Sequence, residues 1–173
     1  MSNRKSEIFN KLYNHAHNGG RFWNQIYNLY TQLVLGCDIK ASTQIGEGFE
    51  IFHSAHASVV SPGTIIGRNV SLRQNTTIGA KGFSGSDKSP VIMDNVTIGP
   101  NVCIIGDITV GKGSIIGAGA VVVKDVPDNA VVAGNPAKVI SMTNNNNDLK
   151  NVNLGGGKFL SLPFSMPMFL NVA

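Results

Sequence analysis

The chain has 173 residues, a net charge of +4 and only 14% charged residues, a size that suits one domain and leaves no room for two large cores. Its Lys and Arg are scattered rather than gathered into runs, which excludes the electrostatic footprint of a nucleic-acid-binding protein and leaves a small anionic ligand open. Two cysteines, Cys37 and Cys103, exclude a disulfide framework and read as buried small hydrophobes in a reducing compartment.

The first residues, Met1-Ser2-Asn3-Arg4-Lys5, lead into polar, helix-compatible sequence rather than the apolar core of a secretory signal, so a cytoplasmic protein is expected. Residues 5–34 then place Ile8, Phe9, Leu12 and Tyr13, followed by Phe22, Trp23, Ile26, Tyr27, Leu29, Tyr30 and Leu33, at helical spacing with a break at Asn18-Gly19-Gly20. This predicts two short helices forming a cap over residues 1–35. His15 and His17, on or just after the first helix, read as solvated surface side chains.

From residue 36 the pattern changes. Aliphatic residues recur every six positions at Ile92, Ile98, Ile104, Val110, Ile116 and Val122, and a second series of small or aliphatic residues runs through Val96, Val102, Ile108, Ser114, Ala120, Val126 and Val132. Gly99, Gly111 and Gly117 directly follow members of the first series. The same pattern occurs upstream at Ile39, Ile45, Ile51, Ile66, Leu72 and Ile78, with phase breaks expected at residues 57–65 and 79–91.

Six residues do not fit a helical period of 3.6. They fit a coil with flat sides, each side one short strand and a corner, in which the large aliphatic fills the interior and the next small residue lets the chain turn. Backbone groups then pair with the coils above and below. The second phase break, Gly79–Val91, is expected to be a loop ejected from this prism. Beyond it, Asn144–Asn147 and Gly155-Gly156-Gly157 read as a linker within a tail over 141–173. Its apolar end, broken by Pro163 and Pro167, is too short to span a bilayer as a helix.

From Gly36 to Ile140 the chain resembles the hexapeptide-repeat acyltransferases, and among them the serine acetyltransferase branch and its relatives that acetylate bacterial polysaccharides. The run Val126-Pro127-Asp128-Asn129-Ala130-Val131-Val132-Ala133-Gly134-Asn135-Pro136-Ala137-Lys138-Val139-Ile140 is a specific mark of that superfamily. The resemblance implies a mainly β fold, a single-stranded left-handed parallel β-helix with a short helical N-terminal cap. The handedness comes from the resemblance alone, because general rules favour right-handed crossovers. Serine acetyltransferases carry a longer helical N-terminal region, so the chain departs from them there.

The resemblance also implies acetyl-CoA as co-substrate, no metal, and a homotrimer whose subunits share the CoA groove. Transfer of an acetyl group to a hydroxyl needs a base that titrates near neutrality. His53, in Ile51-Phe52-His53-Ser54-Ala55, matches the family's catalytic histidine, and Asp38 matches the aspartate that orients it. Asp38 precedes His53 by about one coil, which would stack the two on adjacent turns. His56 is a further polar group at the cleft. In the family the ejected loop contacts CoA, and Lys81 and Lys88 are its cations here. Backbone near Ala80, Lys81, Gly99, Gly117 and Ala118 would meet pantetheine, with Lys138 and Lys124 facing the phosphates.

Two departures bear on the acceptor. Where the family has an acidic residue before the catalytic histidine, this chain has Phe52, and where it has an Arg-His pair in the loop, this chain has Lys88-Ser89. The first removes an ammonium partner and the second a bidentate carboxylate clamp. These point to a sugar hydroxyl on a surface polysaccharide or its precursor, with serine as the alternative. A non-catalytic β-helix scaffold is the reading from another class, and a zinc-dependent β-helix enzyme would need three converging histidines.

Overall fold

A computed structural model describes residues 4–82 and 88–143. The expected linker at 144–147 and 155–157, the apolar tail and the middle of the ejected loop lie outside these described residues.

Every side of the prism is a strand of two to four residues, and strands on the same side stack in parallel. The first sheet contains β1 (Asp38–Ile39), β4 (Val59–Val60), β7 (Thr77–Gly79), β10 (Cys103–Ile105) and β13 (Val121–Val122). The second contains β2 (Gln44–Ile45), β5 (Ile65–Ile66), β8 (Val91–Ile92) and β11 (Thr109–Val110). The third contains β3 (Glu50–Ile51), β6 (Ser71–Leu72), β9 (Thr97–Ile98), β12 (Ile115–Ile116) and β14 (Ala130–Ala133), closed by the antiparallel β15 (Lys138–Met142). The result is the parallel β-helix that the six-residue period predicts.

Its interior is the predicted aliphatic ladder. Ile39, Ile51, Leu72, Ile78, Ile92, Ile98, Ile104 and Ile116 are all buried to within 2%, each contributing about 1.5–3 kcal/mol by leaving water. Corners are turned by residues in the left-handed region, where asparagine is tolerated because its short amide bonds locally. Asn69, Asn75, Asn95 and Asn101 all have positive φ. Asn69 donates to Asn95 Oδ1 and Asn75 to Asn101 Oδ1, so the amides form rungs between coils.

The register corrects the first expected phase break. A regular coil takes 18 residues, as from Val59 to Thr77 or Cys103 to Val121. The first coil takes 21, Asp38 to Val59, and its three extra residues lie between β3 and β4, in the segment carrying His53 rather than at 57–65. The second insertion makes Thr77 to Cys103 a span of 26, which places its eight extra residues between β7 and β8 as expected. At the far end the coil shortens, and Val132 pairs with Ile116. Val132 therefore belongs to the large-aliphatic ladder and not to the second series.

The helical cap is α1 (Arg4–Asn18) and α2 (Arg21–Leu29), which runs on as a π-helical turn over Tyr30–Leu35 and ends at Gly36, φ +67°. The lowest coil of a β-helix has no coil beneath it, so its downward backbone groups need other partners. One face of α1 supplies them. Ser6 Oγ accepts from Ile51 N–H at 2.9 Å and donates to its carbonyl, and Asn10 Nδ2 donates to Phe49 O at 2.9 Å. Tyr13 Oη donates to Thr43 O at 2.6 Å and accepts from Ile45 N–H at 3.1 Å. His17 Nδ1 lies 2.7 Å from Ala41 O. His17 is thus exposed yet bonded to the first coil, which corrects its reading as a solvated side chain.

Phe9, Tyr13, Tyr27 and Phe49 close the prism floor with ring centroids 5.6–6.2 Å apart. Phe22, Leu29 and Leu33, at helical spacing but on the outer side, are exposed. Cys37 is buried, whereas Cys103 is only half-buried on the outer face of β10, so the expected burial of both holds for the first alone. Among the described residues no helix is long and apolar enough to cross a membrane.

Candidate active site

His53 stands on the three-residue insertion between β3 and β4. His53, Ser54, Ala55 and Ala57 all have positive φ, between 48° and 64°. For residues with a Cβ this conformation costs about 1–2 kcal/mol each, and such strain clusters at functional sites. The surroundings hold the turn in place. Ala55 is fully buried. Ala57 N–H donates to Gly36 O at 2.7 Å below, and Asn75 N–H donates to His56 O at 2.7 Å above. Lys5 on α1 donates to Ser54 Oγ from the side. The exposed His53 ring is therefore carried on a rigid, buttressed turn.

His56 packs its ring over Gly36, where an added Cβ would lie 2.4 Å from His56 Nδ1. Asp38 opens β1, one coil below Val59, and its carboxylate pairs with Lys40 Nζ at 2.7 Å. The structure thus brings Asp38 and the His53 turn onto adjacent coils, with Lys40 as the carboxylate's ionic partner.

The other predicted residues fall at two corners of the prism. At the corner after the third sheet, the strand register stacks Phe52, Arg73, Gly99, Gly117 and Ala133 in one column beside His53. Four strand spacings of about 4.8 Å make this column roughly 19 Å long. Its part at Gly99 and Gly117 is bare by construction. A Cβ at Gly99 would sit 2.8 Å from Ala118 N, and one at Gly117 would sit 3.1 Å from Ala133 Cβ. Lys138 pairs in β15 with Ala133, at the far end of the column from His53. An exposed imidazole at one end of the column and a lysine at the other are the polar groups this corner offers a ligand.

Ala80, Lys81, Lys88 and Ser89 lie at the next corner, between the first and second sheets. Ser89 Oγ is 3.1 Å from Ser61 Oγ, and Lys88 Nζ pairs with Asp107 at 3.3 Å on the surface. Within one chain they are not brought to His53. A cleft of about 500 Å³ between the helices and the Lys40–Ser42 corner contains none of the predicted residues. Among the described residues no group of three His, Cys, Asp or Glu is placed to hold a metal ion.

Sequence reasoning missed Arg73. Its guanidinium lies over the Phe52 ring, 5.1 Å from the centroid, and its position directly after the ladder residue Leu72 was the available signal. Elsewhere, the Arg68 backbone N–H, together with the Arg68 Nε and Nη2 that grip the same carboxylate, holds the Asp94 carboxyl below its usual range. Burial pushes the Cys37 thiol up to about 12, helped by the nearby Asp38 charge.

The coils and their bare corner column define a hexapeptide-repeat β-helix, and the family described as bacterial transferase hexapeptide (six repeats) matches residues 89–124. The chain is 40% identical over 107 residues to serine acetyltransferase 2 of Arabidopsis thaliana, covering 62% of this chain and 33% of the relative. It is 41% identical over 103 residues to the serine acetyltransferase of Escherichia coli K12, covering 60% and 37%. The crystal structure of Neisseria gonorrhoeae serine acetyltransferase in complex with serine superposes with a TM-score of 0.69 at 30% identity, covering 79% of this chain and 57% of that one. The chain thus carries hexapeptide repeats and is similar to serine acetyltransferases, and it spans about a third of the length of these two curated relatives.

Proposed function

We propose that this chain is an acetyl-CoA-dependent O-acetyltransferase in which His53 is the general base. The observation that supports it is the placement of His53, on a strained but buttressed turn, at one end of the column that leads past Gly99 and Gly117 to Lys138. The acceptor hydroxyl gives its proton to the imidazole as its oxygen attacks the thioester carbonyl carbon. The tetrahedral adduct then expels the CoA sulfur, which receives that proton, leaving an acetyl ester and free CoA. Asp38 would hold the other ring nitrogen by exchanging its Lys40 partner for His53.

The two-corner arrangement supports a side-by-side trimer, in which the loop residues Lys81, Lys88 and Ser89 of one subunit reach the His53 corner of the next. Acetyl-CoA is a cytoplasmic metabolite, and the reaction is placed in that compartment.

Serine is the acceptor best supported, because the relatives carry the name serine acetyltransferase. A sugar hydroxyl of a surface polysaccharide is a second reading, favoured by one observation: Phe52 lies under a cation at the corner where an acid would be needed to meet an ammonium group. Release of free thiol from acetyl-CoA with serine and with a panel of sugars decides between them. Turnover of serine supports the first, turnover of a sugar alone supports the second, and no acetyl-CoA binding by calorimetry would leave a scaffold.

A further inference from the structure

Helix α1 holds both ends of the short segment that carries His53. At one end the buried Ser6 accepts from the Ile51 N–H at 2.9 Å and donates to the Ile51 carbonyl at 3.2 Å, which fixes the start of the helix against β3. One residue earlier on the helix, Lys5 Nζ donates to Ser54 Oγ. Ile51 and Ser54 bracket Phe52 and His53. Asn10 on Phe49, and Tyr13 on Thr43 and Ile45, repeat the attachment further along and keep the helix from sliding over the coil.

The segment needs such a hold. His53, Ser54 and Ala55 stand in the left-handed region, with φ of 52°, 64° and 48°, a conformation that residues with a Cβ disfavour. Backbone bonds to the neighbouring coils reach the segment at Phe52, whose N–H donates to Leu72 O at 2.9 Å, and at His56 and Ala57. Lys5 meets it between those anchors, on the residue next to His53. Its bond is charge-assisted and therefore stronger than a neutral one. A base displaced by about 1 Å can lose roughly 10²-fold in rate, so a small relaxation of this turn is felt in the chemistry before it is felt in the fold.

We propose that Lys5 is a positioning residue for His53: through Ser54 it holds the left-handed turn in the conformation that presents the imidazole, which makes helix α1 part of the acetyl-transfer site. This rests on the reading of His53 as the base. In this role Lys5 acts on orientation and not on binding, so its loss lowers turnover rather than affinity for acetyl-CoA. Arginine keeps a charged donor at the end of a long stem, whereas methionine keeps a stem and removes the donor.

The test uses the full chain and two readouts. Thiol release from acetyl-CoA with the best acceptor gives kcat and KM, and the His53 ring signal in a carbon–proton NMR spectrum, assigned by its disappearance in His53→Ala, reports the turn independently of turnover. Lys5→Met should lower kcat about 10-fold, leave KM for acetyl-CoA within about twofold, and broaden or split the His53 signal. Lys5→Arg should keep kcat within about threefold of wild type, with a single narrow signal, which separates lost positioning from a lost fold. Ser54→Ala should match Lys5→Met, and the double variant should fall no further than either, because both remove the same interaction. With His53→Ala slow, an unchanged kcat in Lys5→Met, Lys5→Arg no better than Lys5→Met, or losses that multiply in the double variant would overturn the proposal. His53→Ala at the wild-type rate, with the signal still broadened in Lys5→Met, would remove the base and leave the positioning of the turn standing. A slow His53→Ala with the signal unmoved in Lys5→Met would do the reverse.

Discussion

Asn75 N–H donates to the carbonyl of His56 at 2.7 Å, which fastens the three-residue insertion carrying His53 to the coil above it. The insertion is held from below by Gly36, whose carbonyl takes the Ala57 N–H. A side chain on a strained loop is held to a single geometry only when the regular repeat on both sides fixes it, and these two bonds are how the β-helix does so.

Gly36 is needed twice over, for its φ of +67° and because a Cβ there would meet His56 Nδ1 at 2.4 Å. Gly36→Ala should lower stability by about 1–2 kcal/mol through the left-handed conformation and displace His56. Chemical denaturation measures the first effect. The second should reduce acetyl transfer more than a destabilised but intact site would.

Tyr13→Phe keeps the ring that closes the prism floor and removes only the hydroxyl that bridges Ile45 N–H and Thr43 O. Leaving a buried donor and acceptor unpaired costs about 1–3 kcal/mol. The loss should show as a lower unfolding midpoint with unchanged denaturant slope.

Cys37 and Cys103 should separate by reactivity. With its pKa raised to about 12 by burial, Cys37 has almost no thiolate near neutrality, so an alkylating reagent should modify Cys103 first and Cys37 only as the chain unfolds. Because the folded pKa lies above the unfolded one, Cys37 favours the folded state fully below about pH 8.5. That contribution is lost as pH rises through the folded value. Stability should therefore fall in alkali, and by less in Cys37→Ser.

Much of the molecule was legible in the chain. Ile92 to Val122 announced the coil because a side chain filling a prism must return every six residues, whatever its neighbours. His53 was legible by resemblance, but the strain around it was not, since Ser54, Ala55 and Ala57 give no sign of left-handed backbone. The position of the first insertion was misjudged because Val60 continues the ladder as well as Ile66 does. The polar stripe Ser6, Asn10, Tyr13 and His17 was hidden for another reason. Its partners are backbone groups of a sheet edge, which leave no side-chain signature. The stacking of Arg73 was hidden because its ring partner, Phe52, is 21 residues away in sequence and one coil away in space.

The central claim, that the β-helix holds His53 as the base for acetyl transfer, is tested most directly by the rate of thiol release from acetyl-CoA, with the best acceptor, for wild type and His53→Ala. The account predicts a fall of about 10²- to 10⁴-fold with an unchanged circular dichroism spectrum and acetyl-CoA affinity. An unchanged rate in a folded His53→Ala would contradict it.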